Sequence, residues 1–295
     1  MAKRFYYGGQ AVVEGVMMRG RKTMVTAVRR SDGEVVMDSQ SLSGFYTGWI
    51  RKTPLLRGVV VLVEAMALGI KALMFSANVS LDEEGEEVSQ WLLWAIVAGS
   101  LAFSVVLFFI APLFITRLFN FNSSLLFNLV DGLIRVVFLV SYLKLMTLLP
   151  DIKRTFAYHG AEHTVVNGYE DGVPLELEAV RGYGKEHVRC GTSFIFVVLV
   201  ISIFVFGVFG LRSIWVMVLS RVVLIPIIAS ISYEAIFFGA RHTHNRAVRA
   251  MLAPGLWLQS LTTRKPDDSQ LEVAITALQK VVEGDEAEEA AEAPA

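Results

Sequence analysis

The sequence predicts an α-helical polytopic membrane protein of about four transmembrane helices, with a small cytoplasmic α+β portion that includes an N-terminal β-hairpin. Three observations lead there. Of 295 residues, 54% are hydrophobic and 19% charged, with a mean hydropathy of +0.52, an apolar excess that the core of a soluble domain of this size does not absorb. The apolar residues are gathered into runs long enough to cross a bilayer. Residues 23–40 instead alternate apolar and polar side chains around Ser31-Asp32-Gly33, the period of two strands joined by a tight turn.

Residues 1–57 read as a cytoplasmic glycine-rich segment followed by that hairpin. The start, MAKRFYYGGQ, is basic without an apolar run before Gly20, so no cleavable signal peptide is expected. In GGQAVVEGVMMRG the glycines suggest backbone held close to something else, and a ligand loop and an approach to a strand are both open. Residues 58–80 are apolar, but Glu64 and Lys71, seven apart, fall on one helical face; an interfacial or re-entrant helix is expected.

Transmembrane helices 1 and 2 are expected within 91–149. The first, 91–115, has 25 uncharged residues and would reach roughly 37 Å. The second carries Asp131 and Arg135 one turn apart, expected to neutralise each other. Residues 150–192 form a cytoplasmic loop, and 193–239 hold helices 3 and 4, of which the last contains Arg221, Pro226 and Glu234. The proline should bend it. In the cytoplasmic helical segment 240–283, Asp267 and Asp268 can cap a helix with an apolar stripe of Leu271, Ala274, Ile275, Leu278 and Val282. The acidic end, 284–295, is expected to be a disordered tail. Lys and Arg concentrate in the N-terminal region, the 150–190 loop and the stretch after 240, which places both termini in the cytoplasm.

The net charge of -1 and the lack of a broad basic field exclude nucleic acid as a partner. A single cysteine, Cys190, excludes an intramolecular disulfide. P-loop, dinucleotide and nucleophile-elbow signatures are missing. What stands out is FAYHGAEHTVVNGYE. His159 and His163 stand four apart, so on a helix both imidazoles project from one side, the spacing by which two histidines share a zinc. Glu162 lies on the same face and could act as general base. Three of the five histidines fall within 29 residues, and the third, His187, precedes Cys190 by three. Imidazole and thiolate are preferred zinc ligands, so a divalent metal, zinc, is the expected cofactor. His187, Cys190 and Glu234 compete to complete the shell, with Glu170 a further carboxylate; four ligands would make a structural site, three an open catalytic one. For Glu234 plain ion pairing is favoured over ligation. His242 and His244, beside basic residues, read as surface contacts.

The blocks GGQAVVEGVMMRG, YHGAEH, HVRCGTSF, ISYE and PGLWLQSLTTRKPDDSQLEVAI together resemble the bacterial DUF1385, or YqhQ-like, family of membrane proteins. The likeness covers nearly the whole chain; Val188 stands where the family pattern has proline, which leaves every candidate ligand in place. The resemblance implies a bacterial inner-membrane protein and a metal-dependent enzyme, with His159, Glu162, His163, His187, Arg189 and Cys190 at matching positions. The expected function is a hydrolase at the cytoplasmic membrane surface, in contact with membrane lipids, acting on a lipid, a lipid-linked precursor or a membrane peptide. The alternatives are a scaffold or translocation accessory with a structural metal or His cluster and, on the strength of Asp131, Arg135, Arg221 and Glu234, a transporter.

Overall fold

Four short strands, β1 Gly8–Val12, β2 Gly15–Arg19, β3 Thr23–Arg29 and β4 Val35–Ser41, pair antiparallel in the order β1-β2-β3-β4. The computed structural model describes residues 5–82, 89–209 and 213–292. The expected hairpin is β3 and β4, with Gly33 at φ 91° in the turn, a conformation a side chain disfavours. The glycine-rich segment proves to be a second hairpin, β1–β2, of the same sheet. A Cβ on Gly9 would come 3.1 Å from Glu162 Cγ and 2.2 Å from the Met17 carbonyl oxygen, so the strand lies against its neighbours more closely than any side chain permits.

Strand periodicity sorts the apolar side chains to two faces. Val16, Met18, Val25 and Ala27 join one core cluster, Met17, Met24 and Val28 another. After a short helix α1 Gly44–Thr47 and a 3-10 turn, helix α2 Leu56–Asp82 covers the second face with Leu68, Ala72 and Val79. Glu64 is buried rather than sharing a solvated face with Lys71: Arg19 donates to it through Nε (3.0 Å) and Nη2 (2.9 Å), and Arg51 pairs with it too.

Helix α3 Gln90–Val105 continues through a π turn, Val106–Ile110, into α4 Ala111–Arg117, and α5 is Ser124–Met146. Then come α6 Pro150–Asp171, a short α7 Leu177–Val180, α8 Gly191–Phe209, α9 Ile214–Val223, α10 Ile225–Arg241, α11 Arg246–Gln259 and α12 Asp268–Glu292. Leu56–Ser80, Trp91–Arg117, Ser124–Met146 and Gly191–Val208 are each long and apolar enough to cross a membrane. The set differs from the expected one. Residues 58–80 form a helix that passes the same test, whereas 214–239, expected as one bent span, is two helices meeting at 48°. Pro226 lies in the first turn of α10, where its missing N–H costs nothing. Asp131 and Arg135 pair at 2.7 Å as expected, but Arg221 reaches the same oxygen at 3.0 Å. The acidic stretch at 83–88 lies outside the described residues.

Helix α12 starts as foreseen: Asp267 Oδ1 accepts the Gln270 amide at 2.9 Å, a side-chain cap. Its stripe, Leu271, Ala274, Ile275 and Leu278 with Val282 at the margin, packs on α6 and the first sheet face. The expectation of a disordered tail from 284 is corrected, because the helix runs to Glu292 and residues 293–295 alone lie outside the described part. Asp285 is buried and accepts the amides of Arg21 (2.7 Å) and Lys22 (3.2 Å) in the β2–β3 turn, and Glu289 pairs with Arg21. The acidic end is ordered by the basic turn it meets.

Candidate metal centre

Helix α6 begins at Pro150, whose fixed φ suits a first turn, with Asp151 beside it, and stops at Gly172, left-handed at φ 82°. Its apolar side, Tyr158, Ala161, Val165 and Val166, joins the sheet and α12. Glu14, at φ 50° in the β1–β2 turn, accepts Arg154 Nε (2.6 Å) and Nη2 (2.5 Å) and the Tyr158 hydroxyl (3.4 Å). Burial, then the Glu14 charge, pushes the Tyr158 hydroxyl up to about 12. These contacts hold the hairpin one turn before His159.

The imidazoles of His159 and His163 project from the same side, their ring centroids 4.4 Å apart. His159 Nδ1–H donates to the Thr262 carbonyl at 2.9 Å, and His163 Nδ1–H to the Lys185 carbonyl at 2.7 Å. Because a carbonyl only accepts, each ring carries its proton on Nδ1 and presents the Nε2 lone pair. Fixing a histidine's outer nitrogen on a backbone carbonyl is how metal-ligating imidazoles are usually oriented. Cys190 ends the loop before α8, and its Sγ stands 3.3 Å from His159 Nε2. One ligand atom each from His159, His163 and Cys190 lies within 4.8 Å of the other two. Glu162, 5% exposed, brings Oε2 to 3.3 Å from His163 Nε2. A carboxylate and an imidazole lone pair repel unless a proton or a cation sits between them. Two soft nitrogens, one sulfur and a neighbouring carboxylate suit zinc in number and chemistry.

Not every expected ligand arrives. The His187 ring lies 5.6 Å from that of His163, but its Nε2 faces Arg189 at 3.2 Å and Glu170 at 3.6 Å. Burial would raise the Glu170 carboxyl; the hydrogen bond from His187 and the charge of Arg189 outweigh it and hold the group below the usual carboxylate range. Glu234 is elsewhere, taken by Arg57 and by the Leu55 amide at 3.0 Å, so ion pairing wins there over ligation. His242 donates through Nδ1 to the Phe238 carbonyl at 2.8 Å.

Sequence reasoning missed the residues that frame the site. Gln259, fully buried, accepts the His187 amide at 2.8 Å and donates to its carbonyl at 2.9 Å. Lys185 Nζ ties the loop to the Thr263 carbonyl at 2.9 Å. A Cβ on Gly160 would lie 1.9 Å from the Arg264 carbonyl oxygen, so the glycine admits the segment that brings Thr262 to His159. The one available signal was a glycine inside a helix, which costs about 1 kcal/mol against alanine and so implies a close neighbour.

Over residues 53–284 the chain matches the family model described as "Protein of unknown function (DUF1385)". It is 35% identical over 296 residues to "Uncharacterized protein YqhQ" of Bacillus subtilis (strain 168), an alignment covering 94% of this chain and 92% of the relative. No solved structure matches.

Proposed function

We propose that this chain, which belongs to the DUF1385 family, is a membrane-embedded hydrolase that holds a divalent ion, zinc, through His159 Nε2, His163 Nε2 and Cys190 Sγ. The observation that carries the reading is the convergence of these atoms within 4.8 Å, with both outer imidazole nitrogens already engaged by carbonyls. Three protein ligands leave a position open, as catalytic zinc sites do. His187, drawn off by Glu170 and Arg189, does not close it.

A bound divalent ion would supply Lewis acidity and a water that deprotonates near neutral pH. Glu162 Oε2 takes the proton of the attacking water and returns it to the leaving group, a general base and then a general acid. Its burial against the strand at Gly9 keeps bulk water away from that exchange. Cys190 immediately precedes α8, a helix long and apolar enough to cross a membrane, so the site opens at the membrane surface. The concentration of Lys and Arg puts that surface on the cytoplasmic side of a bacterial inner membrane with both termini inside. A site so placed suits an amphiphile: a lipid, a lipid-linked precursor or a membrane peptide.

A second reading is structural. The ligands and their carbonyl partners come from α6, the 181–190 loop and the segment after α11, so an ion there would also staple the cytoplasmic portion to α8. Metal content decides first. Protein purified in detergent should carry about one equivalent of zinc, lost in the His159→Ala, His163→Ala double variant, and metal-free wild type would sink both readings. Glu162→Gln should then keep the metal but lose about 100-fold or more of the hydrolysis of p-nitrophenyl acyl esters or phosphodiesters; unchanged hydrolysis would favour the staple.

A further inference from the structure

The helix bundle buries a charge that the proposed hydrolase does not use. Asp131 and Arg135 lie on α5 and Arg221 in the last turn of α9, at 2%, 0% and 2% exposure. Arg135 is about 16 Å along a helix of about 34 Å, near its middle. Both guanidiniums converge on one oxygen, Asp131 Oδ2, at 2.7 and 3.0 Å. Two positive charges thus face one negative. The neighbouring helices α3, α4, α8 and α9 contain no acidic residue, and Glu234 on α10 is held by Arg57. The partial negative charge at the end of α9 amounts to about half an elementary charge at most, so an excess of positive charge persists where isolated charge is costly.

The donors are unfilled as well. Among the described residues, Arg135 Nε and Nη1 and Arg221 Nε have no hydrogen-bond partner, nor has Asp131 Oδ1. Phe206 covers the faces of Arg221 (3.7 Å) and Arg135 (5.3 Å), and Phe109, in the π turn, lies 5.3 Å from Arg135. With their faces stacked on rings, the guanidiniums offer only their N–H edges, the geometry that reads an anion. A water could bridge Asp131 Oδ1 to one nitrogen, but it brings no charge. A π turn beside one arginine and a 48° helix break after the other are irregularities that recur at ion sites in membrane bundles.

We propose that Asp131, Arg135 and Arg221 form the interior binding site of a small inorganic anion, a halide or an oxyanion. The test is thermal unfolding of the full chain in detergent at constant ionic strength, replacing sodium gluconate by chloride, nitrate or phosphate, with titration calorimetry of whichever anion acts. A saturable rise in Tm of a few degrees is expected for wild type with at least one of the three, at one site per chain, and the effective anion identifies halide or oxyanion. Arg221→Gln, which balances the charges, should abolish the rise. Asp131→Asn, which frees both guanidiniums, should bind the anion at least tenfold tighter. Should Arg221→Gln not fold, Arg221→Lys keeps the charge without the fork and should weaken binding while retaining the rise. A wild type indifferent to all three anions, or a rise of equal size in Arg221→Gln, overturns the site.

Discussion

At Gln259 one uncharged side chain satisfies both backbone groups of His187. Gln259→Leu fills the same volume but leaves a buried amide and a buried carbonyl unpaired, each costing about 1–3 kcal/mol. It should lower Tm and weaken metal binding about tenfold or more through the displaced loop, as calorimetry and zinc titration would reveal. Gly160→Ala forces a carbon against the Arg264 carbonyl. A rigid backbone cannot yield cheaply, so a loss of about 1–3 kcal/mol is expected, together with the His159–Thr262 hydrogen bond; an alanine variant with wild-type melting and zinc affinity would refute the close approach. Glu170 gives the pH dependence. Its folded-state value is depressed by His187 and Arg189 against burial, so its contribution is present above the unfolded value of about 4.3 and fades as pH falls through the lower folded value. Wild type should therefore lose stability below about pH 4 more steeply than Glu170→Gln, which is already weakened at neutral pH.

At the scale of elements, α6, which carries both histidines of the site, and α12, which packs on the apolar side of α6, each show how local rules meet tertiary ones. The i, i+4 spacing of the α6 histidines was legible, since periodicity is a property of a few consecutive residues, but the helix itself was not: 150–192 reads as a loop, and Pro150–Asp171 is helical. The extent of α12 was not legible either. A run such as DEAEEAAEA lacks apolar anchors and reads as solvated, yet Asp285 meets two amides 264 and 263 residues away, and that pairing carries the helix on. Asp285→Ala removes both acceptors and should cost about 1–3 kcal/mol, with hydrogen exchange at Arg21 and Lys22 rising while that of α6 stays protected. Equal protection in the two proteins would mean that the acidic end is ordered by something else.

At the scale of the molecule, the sheet is enclosed by α6 and α12 on one face and by α2 on the other. Helix α2 packs on the strands that precede it, although its length and hydropathy fall within the range of the other candidate spans; in the proposed orientation with both termini in the cytoplasm it would stay on the strands' side. This predicts an accessibility map. In a Cys190→Ser background, single cysteines at Asp32 and at Glu286 should both react with a membrane-impermeant maleimide only from the cytoplasmic side, and one at Asn120, between α4 and α5, only from the opposite side. Labelling of Asp32 and Asn120 from one face would overturn the orientation.

From the sequence alone came the helical class, three of the apolar spans, at 91–115, 124–149 and 193–209, the β3–β4 hairpin and the shared face of His159, Glu162 and His163, because each is written in the period or composition of a short stretch. The tertiary structure decided what lies between distant stretches. It chose Cys190 over His187 and Glu234, 31 residues from its histidine partner; it set Thr262 on the outer nitrogen of His159 across 103 residues; and it brought Arg221 to Asp131 across 90. Periodicity reports which face a side chain occupies, and only the packing of helices against one another reports what that face meets.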